Sequence, residues 1–394
     1  MSSPAANKPM PVLRKADRDL AEQLVAVRAL AATVPIMEPA RPRTETVPVQ
    51  PRDAGICSHN GQDEASSAAA GWPVRPLFAE EDIAQRLDWA RHLRPDARDG
   101  VLAALQRMAD AGPLRRTGRP GSPVDFGQLR EEFPHFEEVL NFVWKRAVLA
   151  GSVAGAAFQL PPMLFDGPPG VGKTAFAEKL AAWLAVPITR VDMSSLDAAF
   201  KLTGLDAGYS SGKPGMIWDA LQGSFISPVL LLDEIDKTST INSGGSTFLL
   251  GLLEPLTASR FQDACIGLPI NAAHIQWMAT SNHRSAIDAP LLSRFRTFEI
   301  NLPTGGQRGP VVQSVYRSLR KHELWAQAFP ECLPPGVVEI LMDRSAREVR
   351  QALEDAFASA VADGRRDLCI RDVPEQPRHG ERSIGFIDLQ QKKG

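Results

Sequence analysis

The eight residues Gly167-Pro168-Pro169-Gly170-Val171-Gly172-Lys173-Thr174 have the spacing G-x-x-x-x-G-K-[ST]. Glycines so placed let successive backbone N–H groups turn inward, and a helix starting directly behind them adds partial positive charge, so the segment suits phosphate. Its context fits: an apolar strand, Met163 to Phe165, precedes it, and a helix with Phe176, Leu180 and Leu184 on one face follows. Lys173 would reach the β- and γ-phosphates of ATP, and the Thr174 hydroxyl would bind Mg²⁺. A second constellation, Val229-Leu230-Leu231-Leu232-Asp233-Glu234-Ile235-Asp236-Lys237, is an apolar strand that ends in adjacent carboxylates. Acids at the end of a buried strand are poor packing but good metal chemistry. Asp233 is expected to hold Mg²⁺, directly or through water, and Glu234 to polarise the water that attacks the γ-phosphate.

Two further segments supply polar groups. Met278-Ala279-Thr280-Ser281-Asn282 ends a strand with an amide that can orient the lytic water, sense the γ-phosphate, or cap the following turn. Asp288-Ala289-Pro290-Leu291-Leu292-Ser293-Arg294 places an arginine at the end of a short helix, facing away from its own nucleotide site. An arginine there can complete a neighbouring subunit's site or form a surface salt bridge.

These side chains need a rigid frame. Short apolar segments, Met163 to Asp166, Val186 to Asp192, Val229 to Asp233, His274 to Thr280 and Phe298 to Leu302, alternate with longer amphipathic helices. That rhythm predicts a five-stranded parallel α/β sheet over 134–303. Val311 to Leu319 and Ser345 to Val361 read as helices of a small lid over 304–362, followed by a tail, 363–394. Upstream, 78–133 reads as helices plus a hinge or linker, where Gly112, Pro113, Gly118, Pro120, Gly121 and Pro123 crowd together. Residues 1–77 hold ten of the 32 prolines and one aromatic, Trp72, so a mostly disordered tail is expected there. Within it Leu20, Leu24, Val27 and Ala31 give one amphipathic helix, either without a dedicated role or docking a partner.

Composition narrows the classes. Lys and Arg number 44 against 46 Asp and Glu, a net charge of -2, which offers no global attraction to nucleic acid or an anionic membrane. Four isolated cysteines suggest neither a disulfide framework nor a zinc site, so a reducing cytoplasm is the expected compartment. Asp17, Asp19 and Glu22 interrupt any secretory leader, and the uncharged run from Ala147 to Phe165 is broken by glycines and Pro161-Pro162, so no membrane association is expected.

The order of phosphate loop, Asp-Glu strand, Asn strand and Leu-Leu-Ser-Arg resembles that of the AAA+ ATPases, and within them the ATPase module of Lon proteases. The narrower likeness rests on Gly167 to Thr174, Asp233 to Lys237, Ala279 to Asn282, Ala289 to Arg294 and Gly204 to Gly215. The resemblance implies an AAA+ P-loop core with a C-terminal helical lid, Mg-ATP hydrolysis and a hexameric homo-oligomeric ring. It makes Asn282 the first sensor and Arg294 the finger. In Lon-like modules a tyrosine between a glycine and a Pro-Gly pair grips substrate polypeptide in the central pore; Gly204, Tyr209 and Pro214-Gly215 resemble that arrangement. The second sensor falls in Ser345-Ala346-Arg347-Glu348, on Arg347 or on nearby Arg350. Ser210 departs from the usual aliphatic neighbour. With about 30 residues following the lid, no serine–lysine peptidase domain is expected. The implied function is a motor that remodels or translocates a protein partner. Two alternatives stay open: a nucleic-acid-directed ATPase, drawing on Arg115-Arg116, Arg119, Arg365-Arg366 and Lys392-Lys393, or a nucleotide-regulated scaffold.

Overall fold

Five segments too short to stand alone pair edge to edge, and the three inner ones are almost wholly buried under covering helices. The computed structural model describes residues 73–375 apart from 154–155, 195–197, 210 and 241–246. In it the segments form β1 (Met163–Asp166), β2 (Ile188–Asp192), β3 (Val229–Asp233), β4 (Gln276–Ser281) and β5 (Arg296–Glu299). The sheet order is β2-β3-β4-β1-β5 and every pairing is parallel. All of β3 and β4 is buried. Alternate residues of β3 serve two cores: Leu230 and Leu232 join Trp218, Ile217 and Leu202, whereas Val229 and Leu231 join Phe136, Phe176 and Leu180.

Three strand ends differ from the sequence expectation. β2 starts at Ile188 rather than Val186, because Pro187 has no N–H to pair and contributes only its carbonyl, which accepts from Val229 N at 2.9 Å. The strand expected over His274 to Thr280 runs from Gln276 to Ser281, set by the register of Val229 against Gln276. The strand expected over Phe298 to Leu302 runs from Arg296 to Glu299, since its four partners on β1 are Met163 to Asp166. Arg296 can open this edge strand because its guanidinium stacks over Phe142, 4.2 Å from the ring centroid.

The chain upstream of the sheet is packed against it. Helices α1 (Glu80–Ala90) and α2 (Pro95–Asp110) bury Ile83, Leu105 and Met108 in the same cluster as Trp218 and Leu230. The segment expected to be a hinge or linker is instead a short strand, Leu114–Arg116, paired antiparallel with Val74–Pro76. Arg116 bonds both sides of a loop, donating to Ser224 O at 2.9 Å and accepting from Ile226 N at 2.8 Å. Gly118 N donates to Ser227 Oγ at 2.6 Å. Glycine and proline mark close approach here rather than freedom. Packing also extends upstream of the boundary expected at residue 77: Thr117 N donates to Pro73 O, and Leu77 is buried. The amphipathic helix expected near Leu24 and the stretch 376–394 lie outside the described residues.

Helices α3 (Pro123–Glu132) and α4 (Glu137–Gly151) lead to β1. Phe136, from the turn between them, stacks on Phe176 of α5 (Lys173–Trp183) at 4.2 Å and 16°. That contact seats the helix behind the phosphate loop on a rigid aromatic base. A second compact unit begins at Pro303. It contains α6 (Arg308–His322), α7 (Pro335–Leu341) and α8 (Ala346–Ala362), closed around Tyr316, Phe329, Leu353 and Phe357. Ser345 and Glu348 form a reciprocal capping box at the start of α8. Among the described residues no helix is long and apolar enough to cross a membrane.

The packed reading of 112–123 has a measurable consequence. A Cβ on Gly121 would lie 2.8 Å from Trp183 Cδ1 and from the Trp183 carbonyl oxygen, whereas one on Gly127 meets nothing within 4 Å. In urea titrations Gly121→Ala is expected to lower the unfolding free energy by about 1–3 kcal/mol. Gly127→Ala, inside α3, should raise it by about 0.5–1 kcal/mol. A free hinge would leave the first variant unchanged.

Candidate nucleotide site

The loop between β1 and α5 turns because Gly170 and Gly172 take φ of +81° and +94°, which side chains resist. Gly167 must be bare for another reason: a Cβ there would lie 2.1 Å from the Ile300 carbonyl oxygen. Lys173, only 7 % exposed, folds its ammonium back over the loop. It donates to Gly167 O at 2.6 Å, Pro168 O at 3.0 Å and Asn282 Oδ1 at 3.0 Å. Burial pulls the Lys173 pKa down, and Asp166, Asp236, Asp233 and Glu234 oppose that shift.

Asp233 is the hub on the acidic strand. Its Oδ1 accepts from Thr280 Oγ1 at 2.5 Å and Thr174 Oγ1 at 3.2 Å, and its other oxygen pairs with the Arg190 guanidinium. These partners come from β4, α5 and β2, so one carboxylate ties together three elements. The next residue, Glu234, is exposed and holds φ at +57°, a left-handed conformation costly for a residue with a Cβ. Its backbone N–H donates to Thr280 Oγ1 at 3.0 Å, so one hydroxyl serves both acids of the pair.

The loop after β4 is held by Asp166, the last residue of β1. Asp166 Oδ1 accepts from Ser281 Oγ at 2.5 Å and from Arg284 N at 3.1 Å, which brackets Asn282 beside Lys173. On the far side of the phosphate loop, His135 Nε2–H donates to Val171 O at 2.8 Å. Its buried Nδ1 has no hydrogen-bond partner among the described residues, and burial lowers the imidazole pKa, favouring the neutral ring.

Lys173, Thr174, Asp233 and Asn282 are therefore brought together, with Glu234 attached through Thr280. Other candidates stand elsewhere. Arg294 is exposed and pairs with Glu254 at 3.6 Å, not with the residues around the phosphate loop. Tyr209, 65 % exposed, tips a loop closed by a bridge between Leu205 and Lys213. In the second unit, Arg350 pairs with Glu354 at 2.8 Å and Glu323 at 3.7 Å. Arg347 is exposed, with no ion pair among the described residues. Thr280, Ser281, Asp166, Arg190 and His135 were not singled out from sequence. The first two carry a faint signal, polar residues ending a buried strand, but the other three carry none.

Thr280 is the sharpest test of this geometry. Replacing it with valine leaves Asp233 without its hydroxyl donor from β4 and the Glu234 N–H without an acceptor, so chemical denaturation should register a loss of about 1–3 kcal/mol. Thr280→Ser keeps the hydroxyl and should recover most of that loss.

Comparison with known proteins covers the same region. Residues 163–303 match the model of the ATPase family associated with various cellular activities (AAA). The peroxisomal Lon protease homolog 2 of Oryza sativa subsp. japonica is 29 % identical over 221 residues, 54 % of this chain and 25 % of that protein. Lon protease 2 of Sorangium cellulosum is 30 % identical over 237 residues, 57 % of this chain and 29 % of that protein. The chain thus spans roughly a quarter of the length of these relatives. Among solved structures, the S. cerevisiae Hsp104:casein complex in its extended conformation aligns with a TM-score of 0.50 at 16 % identity, over 77 % of this chain and 52 % of that chain. The β2-β3-β4-β1-β5 sheet, with its phosphate loop at the end of β1, is the part of the chain that matches the AAA family over residues 163–303, and it is similar to the corresponding region of Lon proteases.

Proposed function

We propose that the chain is an ATP-hydrolysing motor that assembles as a hexameric ring and remodels or translocates a protein partner. The observation that carries the reading is the convergence of Lys173, Thr174, Asp233 and Asn282 on one phosphate loop. The residues fit a bound Mg-ATP. Positive-φ glycines aim N–H groups inward, and the Thr174 hydroxyl and Asp233 carboxylate are hard oxygen donors of the kind Mg²⁺ takes. The metal supplies charge neutralisation on the phosphates. Lys173 holds the β- and γ-phosphates. Asn282, bracketed by the Asp166 latch, orients the water or reads the γ-phosphate. Glu234 accepts a proton from that water as its oxygen attacks phosphorus, giving ADP and inorganic phosphate.

Arg294 fits a role in trans, because its ion-pair partner among the described residues is the half-buried Glu254, which a neighbour can displace. Arg347 is the better second sensor on the same criterion, since Arg350 is held by two glutamates. Tyr209 would grip polypeptide. The nucleic-acid alternative loses support: Arg115 is buried and donates to the carbonyls of Ala111, Gly112 and Leu114. Arg365 is engaged by Asp363 and by Asp372, whose carboxyl it holds well below the usual range.

Sizing the Glu234→Gln variant with and without Mg-ATP tests binding and assembly together; a shift to a larger species only with nucleotide is expected. Lys173→Ala should abolish that shift and the binding of a fluorescent ATP analogue. Arg294→Ala should bind nucleotide normally but lose turnover by about 10³-fold. Unchanged turnover would remove the ring from the mechanism. Arg347→Ala should weaken nucleotide affinity while Arg350→Ala leaves it unaltered, as equilibrium titration would register.

A further inference from the structure

We propose that Asp263 is a positioning residue, a buried carboxylate that pins both feet of the Tyr209 loop and thereby sets how that tyrosine is presented. The proposal rests on the reading of Tyr209 as the substrate grip. A loop that carries a large aromatic side chain into solvent can be held only at its base. The fixed points are Gly204 and Gly215, on either side of the Leu205–Lys213 bridge.

Asp263 lies in the turn of a two-stranded ribbon, Phe261–Gln262 with Pro269–Ile270, and its exposure is 0 %. Oδ2 accepts from Gly215 N at 2.7 Å, and Oδ1 accepts from Cys265 N at 2.9 Å and Ile266 N at 3.1 Å. The other foot is pressed onto the same group. Gly204 has φ of +83°, and a Cβ there would lie 2.6 and 2.7 Å from the two carboxylate oxygens. A Cβ on Gly215 would lie 2.4 Å from Gly204 N. Next to Asp263, Ala264 N donates to Thr203 O at 2.8 Å, so the turn also holds the end of the short helix, Ala198–Thr203, that leads into the loop. Gly204 is thus explained by the carboxylate it must touch, and Gly215 by the Leu202 carbonyl and Gly204 amide against which Asp263 draws it.

A buried carboxylate is an expensive way to fill this space. No ion pair engages Asp263 among the described residues; Arg86, the nearby cation, donates to Ile266 O instead. Burial pushes the carboxyl above its usual range, against the three N–H donors. What a carboxylate provides is two acceptor oxygens on opposite sides. An asparagine satisfying Cys265 and Ile266 would turn its amide N–H toward the Gly215 N–H, donor against donor, and would free that foot while leaving the turn intact.

The test uses the two tyrosines of the chain, Tyr209 and Tyr316. Tyr316 is buried in the second unit and donates to Pro330 O at 2.7 Å, so it serves as an internal reference. In the full chain labelled with 3-fluorotyrosine, Asp263→Asn should shift and narrow the Tyr209 fluorine resonance and leave that of Tyr316 in place. In the same variant basal ATPase should stay within about twofold, while stimulation by reduced, carboxymethylated α-lactalbumin falls by about tenfold or more. An unmoved Tyr209 resonance in folded Asp263→Asn overturns the proposal. Should that variant not fold, hydrogen exchange in the wild-type chain decides: Gly215, Cys265 and Ile266 amides must be protected together, and a Gly215 amide exchanging as fast as that of Gly208 overturns it. Failure of the grip reading is separate. Tyr209→Ala would then keep its polypeptide stimulation, whatever the fluorine spectrum of Asp263→Asn shows.

Discussion

A parallel strand with five buried residues must end somewhere, and β3 ends on the carboxylate of Asp233. At 5 % exposure that group needs partners for both oxygens. It obtains them from Thr280 on the neighbouring strand, Thr174 on the helix behind the phosphate loop and Arg190 on the strand beyond. Satisfying one buried charge therefore sets the relative position of β2, β3, β4 and α5. The left-handed backbone of Glu234 follows from the same point, since its N–H is drawn to the Thr280 hydroxyl that serves Asp233. The strain is local and lies beside the acid whose direction matters most for water attack.

Around this polar edge the apolar layers are rigid for separate reasons. On one face the stacked Phe136 and Phe176 rings, flanked by Phe133 and Phe165, carry the helix that begins at Lys173. On the other, α1 and α2 add Leu105, Met108 and Ile83 to a cluster that reaches Trp218 on the helix after the Tyr209 loop. That second face explains why the upstream helices are not an appendage. They complete a core that the sheet and the Tyr209 excursion leave open, and the Leu114–Arg116 strand staples them in place.

The legible parts of the site share one property: their chemistry is written within a few consecutive residues. Gly167 to Thr174 and Asp233-Glu234 each combine an apolar strand with its functional end, so pattern and motif point the same way. Asn282 was reachable for the same reason. Asp166, Arg190 and Asp263 were not. Each looks locally like an ordinary strand or turn residue, and acquires meaning only from groups 115, 43 and 48 residues away that the fold brings to it. The glycine- and proline-rich stretch 112–123 was misread in the opposite sense. Composition records only conformational permission, and the same residues that loosen a linker also allow backbones to pack at 2.6–2.9 Å against Ser227 and Ser224.

By itself the sequence determined the alternation of strands and helices, the phosphate loop, the acidic strand end and the helical unit after Pro303. Local propensity and hydrophobic period carry that information, and they survive without knowledge of the partners. Tertiary structure alone decided the strand order, where the upstream helices dock, and which polar side chain satisfies which. Those choices depend on the requirement that every buried charge and N–H find a partner, and in this chain such partners as Thr280 for Asp233 and Gly215 for Asp263 lie 47 and 48 residues apart.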